Sequence, residues 1–354
     1  MNFKEYLNNN SKLVNKEMKK FFPRKLEKKW LEKALGKAEF QLDEKTLTKS
    51  LAEPIWDFLE RGGKRWRPAL MLLSFEALSG KNSKKILPLT LLPELLHNGS
   101  IMIDDIEDSS ELRRGKKCTH LIYGNDIAIN AGNTMYFLPF ILLYNNTLKL
   151  EDKIIRKIYD LCSNEMLKLS AGQGMDILWH KENQDYLTEE HYLQMCAYKT
   201  GALARLSAKL GAILAKAKTK ETEKIGKYAE SIGIAFQIQD DVLNLVGEEF
   251  SKKKGLGEDI HEGKKTLILL HTLKKASKED NKRLKEIIAL HPTKQETINE
   301  AIGIMEKYNS INYAKEKAKN LVKKSWKDLE PYLKKGKAKT LLKEFGNYLI
   351  EREI

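Results

Sequence analysis

Cysteine is scarce in this chain: three in 354 residues, at positions 118, 162 and 196. They are odd in number and widely separated, which excludes a disulfide framework. None forms a CxxC pair, so a thiolate zinc site is excluded too, and the pattern suits a reducing, cytoplasmic setting. Proline numbers only eight, and the alternating pattern of a strand is almost absent, so a sheet-based fold is excluded. There is no H-E-x-x-H, no G-x-S-x-G and no complete G-x-G-x-x-G. The seven histidines do not cluster. No signal peptide opens the chain, and no transmembrane segment is expected. The longest apolar run, 127–144, is interrupted by Asn130, Asn133 and Pro139 and reads as a buried core helix.

What the sequence has in plenty is helical periodicity and charge. Hydrophobic residues make up 42% and charged ones 32%, enough for a full core. The reading is a single large all-α domain over residues 51–354, a bundle of many helices, preceded by a basic helical extension over residues 1–50. The formal net charge of +14 points to anionic partners. Residues 1–40 carry eleven Lys or Arg against five Glu, with Phe21, Phe22 and Trp30 as apolar points. Such a helix packs on the domain with a solvated basic face, or touches a membrane surface.

The stretch that organises the chain is HNGSIMIDDIED, residues 97–108. It begins as a buried helix, because Leu91, Leu92, Leu95, Leu96, Met102 and Ile103 recur at helical spacing. Onto its end come four carboxylates within five residues: Asp104, Asp105, Glu107 and Asp108. Asp104 and Asp108 share one face and repel, so a cation over them is favoured, and clustered carboxylates suit Mg²⁺. Alone, this is a solvated acidic helix end. A second copy, FQIQDDVLN, overturns that reading, because it again ends an apolar helix in adjacent acids, Asp240 and Asp241, with Asn244 following. Two such clusters facing each other across a helical bundle would build one metal site, with substrate phosphates as the remaining ligands.

Other segments carry weaker signals. GGKRWRP, residues 62–68, is a glycine turn followed by three cations before a helix, suited to an anion and equally to a basic helix cap. Arg113 and Arg114 follow the first acidic cluster. In GQGMD, residues 172–176, the structural reading is at least as good as a functional one. Lys199 and Thr200 sit at a glycine-weakened point of an apolar helix, and a buried Lys needs an anion. The run 252–266, with Lys254, Asp259 and Lys264, is a surface loop or a phosphate-binding lid. The basic residues form no recognised nucleic-acid module, so no nucleic-acid partner is expected.

Taken together, these motifs resemble the trans-prenyltransferase family, the polyprenyl diphosphate synthases. The resemblance runs from about residue 51 to the C-terminus. Five motifs stand in the family's order: GGKRWRP, DDIED with RRG, GQGMD, KTG and FQIQDDVLN. HNGSIMIDDIEDSSELRRG is most similar to the eukaryotic type of geranylgeranyl diphosphate synthase.

The resemblance implies an isoprenoid synthase fold, a helical bundle around a central apolar channel, and a head-to-tail condensation of isopentenyl diphosphate with dimethylallyl, geranyl or farnesyl diphosphate. It assigns Asp104, Asp108 and Asp240 to Mg²⁺, roughly two or three ions per site, with Asp105, Asp241, Arg113 and Lys199 in the catalytic group. Lys64, Arg67, His97 and Arg114 match the isopentenyl diphosphate ligands. Arg113, Lys199, Thr200, Gln237, Lys254 and Lys264 match those of the allylic diphosphate. Asn244 departs from the Asp of many members, and a weakened metal-water contact is expected there. Gly99 and Ser100 are small where an aromatic would stop chain growth. Tyr136 and Phe137 are candidates for a deeper floor, and Ser170 is small where the eukaryotic type carries His. Geranylgeranyl diphosphate is the expected product, with one further unit as the alternative. A homodimer is implied by the family alone. A terpene cyclase is disfavoured because it needs no isopentenyl pocket, and a non-catalytic subunit because the acids and arginines are intact.

Overall fold

Apolar residues recurring every three or four positions fold into helices along nearly the whole chain. The computed structural model describes residues 2–182, 186–246 and 257–350. Lys254 lies outside them. Among the described residues the sole strands are Leu112–Arg113 and Lys116–Lys117, a single antiparallel pair. The fold is all-α, as the periodicity requires. It divides into two compact units, residues 1–76 with 81–158, and residues 77–80 with 159–354.

In the first unit, helix α1 (Phe3–Phe21) starts at a capping box in which Asn2 and Glu5 satisfy each other's backbone amides. It buries Tyr6, Val14 and Met18 and leaves Lys12, Lys16, Lys19 and Lys20 exposed. Val14, Met18, Phe22, Leu26 and Leu31 belong to one apolar cluster with Ile55, Phe58, Leu91, Leu95, Met102 and Met135. The rings of Phe22 and Trp56 stack with centroids 6.2 Å apart. The basic N-terminal segment is therefore part of this unit's core.

Helix α2 (Leu91–Glu107) crosses helix α3 (Asn125–Phe137) closely. A Cβ on Gly99 would lie 2.8 Å from the carbonyl of Gly132, and one on Gly132 would lie 2.8 Å from Ile103. Ser83–Glu107 and Asn125–Tyr144 are long and apolar enough to cross a membrane, with 72% and 39% of their apolar windows buried. The reading of 127–144 as a buried core helix is thus corrected. One face, through Ala128, Ala131, Gly132 and Met135, packs inward, while Ile129, Phe137 and Tyr144 stay exposed. The apolar stretch is wider than the face that its neighbours within this unit cover.

The second unit is built on helix α7 (Thr219–Val246), packed between α6 (Gly201–Leu214) and α10 (Ser310–Leu329). Helices α4 (Asp152–Lys181) and α5 (Glu189–Lys199) complete its walls. Backbones meet closely where the KTG segment lies. A Cβ on Gly172 would fall 2.3 Å from the amide nitrogen of Lys199, and one on Gly233 would fall 2.7 Å from the Cα of Gly201. Only glycine allows these approaches. A buried ion network fixes the same region. Arg205 pairs with Glu165 at 2.5 Å, also reaches Glu230, and donates to the carbonyl of Ala197. Helices α8 (Leu267–Lys275) and α9 (Lys278–Ala289) pack against each other further along this unit.

Candidate active site

The first acidic cluster stands at the C-terminal end of α2. The helix dipole is negative there, so four acids at that end need cations. Asp105 is buried, and burial raises its pKa. Arg113 clamps it, with Nε donating to Oδ1 at 2.6 Å, and reaches Asp104 at 4.0 Å. Asp104 is half-buried and Asp108 exposed, on one face one turn apart. Asp105 and Arg113 thus hold each other, while Asp104 and Asp108 face outward. Burial, with the carboxylates of Glu107 and Asp104, pushes the phenol of Tyr136 up to about 12. Tyr136 also flanks Gly99, where a Cβ would meet its ring at 3.2 Å.

The RRG segment is a hairpin whose two loop residues, Arg114 and Gly115, have φ of 53° and 76°. Two positive angles mark a type I′ turn, which only a permissive residue such as glycine closes readily. This turn sends Arg113 to Asp105 and Arg114 to the carbonyl of Gly62. Gly63 has a φ of 136°, and a Cβ there would lie 3.2 Å from the Arg114 guanidinium. The GGK turn and the RRG hairpin are thereby locked together.

Beneath them, the three cations of GGKRWRP have separate fates. Lys64 is exposed. Arg67 is buried and donates to Nε2 of His97 at 2.8 Å. Arg65, which sequence reasoning passed over, is the anchor. It pairs with buried Glu94 at 2.6 Å, donates to the carbonyl of Leu59 at 2.8 Å, and reaches Asn15 of α1 at 3.1 Å. Asn98 donates to Glu94 as well. The signal available in the sequence was a lone Glu94 inside the apolar run LLPELLH, since a buried carboxylate must be paired.

Burial lowers Arg67 to about 9 and Arg114 to about 10, although the Glu94 carboxylate opposes both. Both remain cations at neutral pH, in a place where burial and mutual repulsion disfavour charge. Such a cluster is completed by an anion.

The second acidic cluster lies near the C-terminal end of α7. Asp241 is buried, accepting from Tyr192 at 2.6 Å and from Gln237 at 3.0 Å, and burial raises its pKa well above the carboxylate range. Gln237 accepts in turn from Thr200 at 2.9 Å. Asp240, one residue earlier, is half-buried. Lys199 pairs with Asp176 at 2.5 Å, and His180 stands 3.2 Å from the other Asp176 oxygen. Lys264 pairs with Asp259 at 3.1 Å and with Glu262 at 2.5 Å, and these carboxylates outweigh burial to raise its pKa. Tyr192, Asp176, His180 and Asp259 escaped the sequence reading as site residues. Asp176 stands in the GQGMD motif with His180 one turn further along α4, whereas Tyr192 and Asp259 come from other segments and stand in no spacing that marks them.

Four expectations change. Asn244 was expected to make a weakened metal-water contact. It is buried, and its side-chain oxygen accepts instead from the amide of Asp259 at 3.1 Å, so it holds the returning chain. Phe137 is 72% exposed and floors no channel within its own unit, since α3 turns that face outward. Ser170 is likewise exposed, its hydroxyl spent on the carbonyl of Met166. Gly99 faces α3, so its smallness answers a helix crossing, whereas Ser100 is half-buried.

Among the described residues no three His, Cys, Asp or Glu side chains stand together as a ready metal cage. The outward pair Asp104 and Asp108 fits Mg²⁺ nonetheless, because it is typically held by one or two carboxylates with water and substrate phosphates.

The family model for polyprenyl synthetase matches residues 48–305. The chain belongs to the polyprenyl synthetase family. A short chain isoprenyl diphosphate synthase of Methanocaldococcus jannaschii is 40% identical over 254 residues, 72% of this chain and 75% of the relative. A geranylgeranyl diphosphate synthase of Methanosarcina mazei is 34% identical over 297 residues, 83% of this chain and 87% of the relative. The crystal structure of a geranylgeranyl pyrophosphate synthetase from Pyrococcus horikoshii superposes with a TM-score of 0.85 at 30% identity, covering 99% of each chain. As a polyprenyl synthetase the chain is a trans-prenyltransferase, and its substrates are isopentenyl and allylic diphosphates. The family generally depends on a divalent metal.

Proposed function

We propose that this synthase extends dimethylallyl, geranyl and farnesyl diphosphates to geranylgeranyl diphosphate, using more than one Mg²⁺. The observation that carries the product length is Ser100, half-buried and small where an aromatic side chain would stop chain growth. The names of two relatives, from Methanosarcina and Pyrococcus, support the same length.

In this reading Asp104, Asp108 and Asp240 hold the metal, whose charge stabilises the departing diphosphate. Lys199, Thr200, Gln237, Lys254 and Lys264 hold the allylic diphosphate together with Arg113, whose guanidinium is oriented by Asp105. Asp176 keeps the Lys199 ammonium aimed until substrate arrives, and Tyr192 and Gln237 hold the Asp241 carboxylate fixed. Arg67, His97 and Arg114, with Lys64, bind isopentenyl diphosphate. No side chain stands out as a base, consistent with the released diphosphate taking the proton. Apolar helix faces exclude the water that would quench the allylic cation.

We further propose a homodimer, cytoplasmic, with residues 51–354 as the synthase proper. The exposed apolar side chains Ile129 and Phe137 support a self-complementary interface on α3.

The test is chromatography of dephosphorylated products after incubation with Mg²⁺, labelled isopentenyl diphosphate and each primer. Geranylgeraniol is the expected main product, and a main product of farnesol defeats the proposal. Light scattering of the purified chain checks the dimer.

A further inference from the structure

The second unit contains a cavity of about 350 Å³ that none of the site residues above explains. This lies within the roughly 300–1,000 Å³ typical of small-molecule sites. Its apolar lining comes from Leu187, Leu269, Leu273 and Ile288. Three lysines, Lys265, Lys274 and Lys285, stand around it against one carboxylate, Glu189. That carboxylate is already engaged, accepting from Tyr313 at 2.5 Å and lying 3.7 Å from Lys274. Asn281 directs its amide to the carbonyl of Leu273 at 2.6 Å and so braces α9 against α8. Leucine walls with an excess of cations at the rim match a linear apolar chain carrying a multiply charged anion. A simple anion would need no leucine wall, and a neutral lipid no lysines.

The cavity shares a wall with the second acidic cluster. Lys265 lines it and also lines the recess formed by Asp176, Lys199, Gln237 and Asp241. Leu269 and Ile288 line a smaller recess with Asp241 and Lys264. All these segments meet at the start of α8, where the Thr266 side chain accepts from the amide of Leu269 and caps the helix. Whatever fills the cavity therefore bears on Lys264, the residue immediately before this wall.

We propose that the cavity is a second, regulatory site for a linear prenyl diphosphate, and that occupancy changes allylic diphosphate binding through Lys264 and Lys265. Binding itself does not depend on the role proposed above for Lys264; only the effect on turnover rests on that reading.

Calorimetry with geranylgeranyl diphosphate and Mg²⁺, without isopentenyl diphosphate, tests it on the full chain. Two sites per chain are expected, one of them lost or weakened at least about tenfold in the double variant Lys274→Glu, Lys285→Glu. A second variant, Leu273→Trp, fills the cavity without touching charge and is expected to remove the same site. Initial rates of both variants at low product concentration are expected to match the parent, while inhibition by added geranylgeranyl diphosphate shifts. One site per chain overturns the proposal, as does a second site indifferent to both variants. Inorganic diphosphate binding as tightly as the prenyl compound overturns the role of the apolar wall. Palmitate competing equally well at that site overturns the assignment to a prenyl diphosphate. If both variants lose the second site but product inhibition is unchanged, binding stands and the coupling through Lys264 falls.

Discussion

Arg67 donates to Nε2 of His97 across 2.8 Å. A guanidinium has no acceptor, so this nitrogen is bare and the His97 proton sits on Nδ1. Burial is the main cause holding its pKa well below the usual value, and the guanidiniums of Arg67, Arg114, Arg65 and Arg113 add to it.

A pH dependence of stability follows. His97 stays neutral when folded but takes a proton near pH 6.5 when unfolded. Below that pH the unfolded chain binds more protons, so stability falls as pH falls. The slope is at most about 1.4 kcal/mol per pH unit from this group. Urea denaturation at pH 7.5 and 5.5 should show a smaller loss in His97→Gln than in the parent. Equal losses would mean that His97 is charged in the native protein.

The metal assignment is checked by replacing Asp104, Asp108 or Asp240 with Asn. Turnover is expected to fall at least about 100-fold, with the Mg²⁺ concentration for half-maximal rate raised. Asn244→Ala should behave differently. Its oxygen serves the amide of Asp259, so the expected result is lower thermal stability with an unchanged Mg²⁺ requirement. A raised Mg²⁺ requirement in Asn244→Ala would restore it to the metal site.

Replacing Arg205 with Met leaves Glu165 buried without its guanidinium. Breaking such a pair typically costs about 3–5 kcal/mol. Chemical denaturation should show a loss of that order. Because Arg205 also holds the carbonyl of Ala197, two residues before Lys199, the KM for the allylic substrate is expected to rise even where the variant is fully folded.

Gly99 and Ser100 should separate. A side chain at Gly99 drives into the backbone of Gly132, 2.8 Å away, and backbone cannot give way. Gly99→Ala is expected to cost about 1–3 kcal/mol in denaturation. Ser100→Phe is expected to fold and to shorten the product. If Gly99→Ala is neutral, the helix crossing is looser than the structure has it.

Much of this was legible in the sequence, for a reason visible in α2 and α7. A helix reports its buried face through spacing, and a cluster of acids on that spacing is unusual enough to be noticed. What stayed hidden depended on tertiary neighbours. Lys64, Arg65 and Arg67 look alike in a string of letters, yet one is exposed, one anchors Glu94 and one meets His97. Asn244 reads as a weakened ligand until Asp259, fifteen residues on, is seen to occupy it. Gly99 reads as room for a growing chain until Gly132 appears beside it. Phe137 reads as a floor because periodicity says which residues share a face, not which neighbour that face will find.

Kinship and mechanical self-sufficiency have different edges in this protein. The family match begins at residue 48, but Val14, Met18, Phe22, Leu26 and Leu31 fill the same interior as Ile55 and Leu95. Each such side chain contributes about 1.5–3 kcal/mol by burial. Five together are comparable with the whole stability of an ordinary domain, about 5–15 kcal/mol. Trimming the chain to its recognisable portion would leave a hollow where those residues stood and cut Asn15 away from Arg65. The least familiar fifty residues are the ones that keep the most familiar motif in shape.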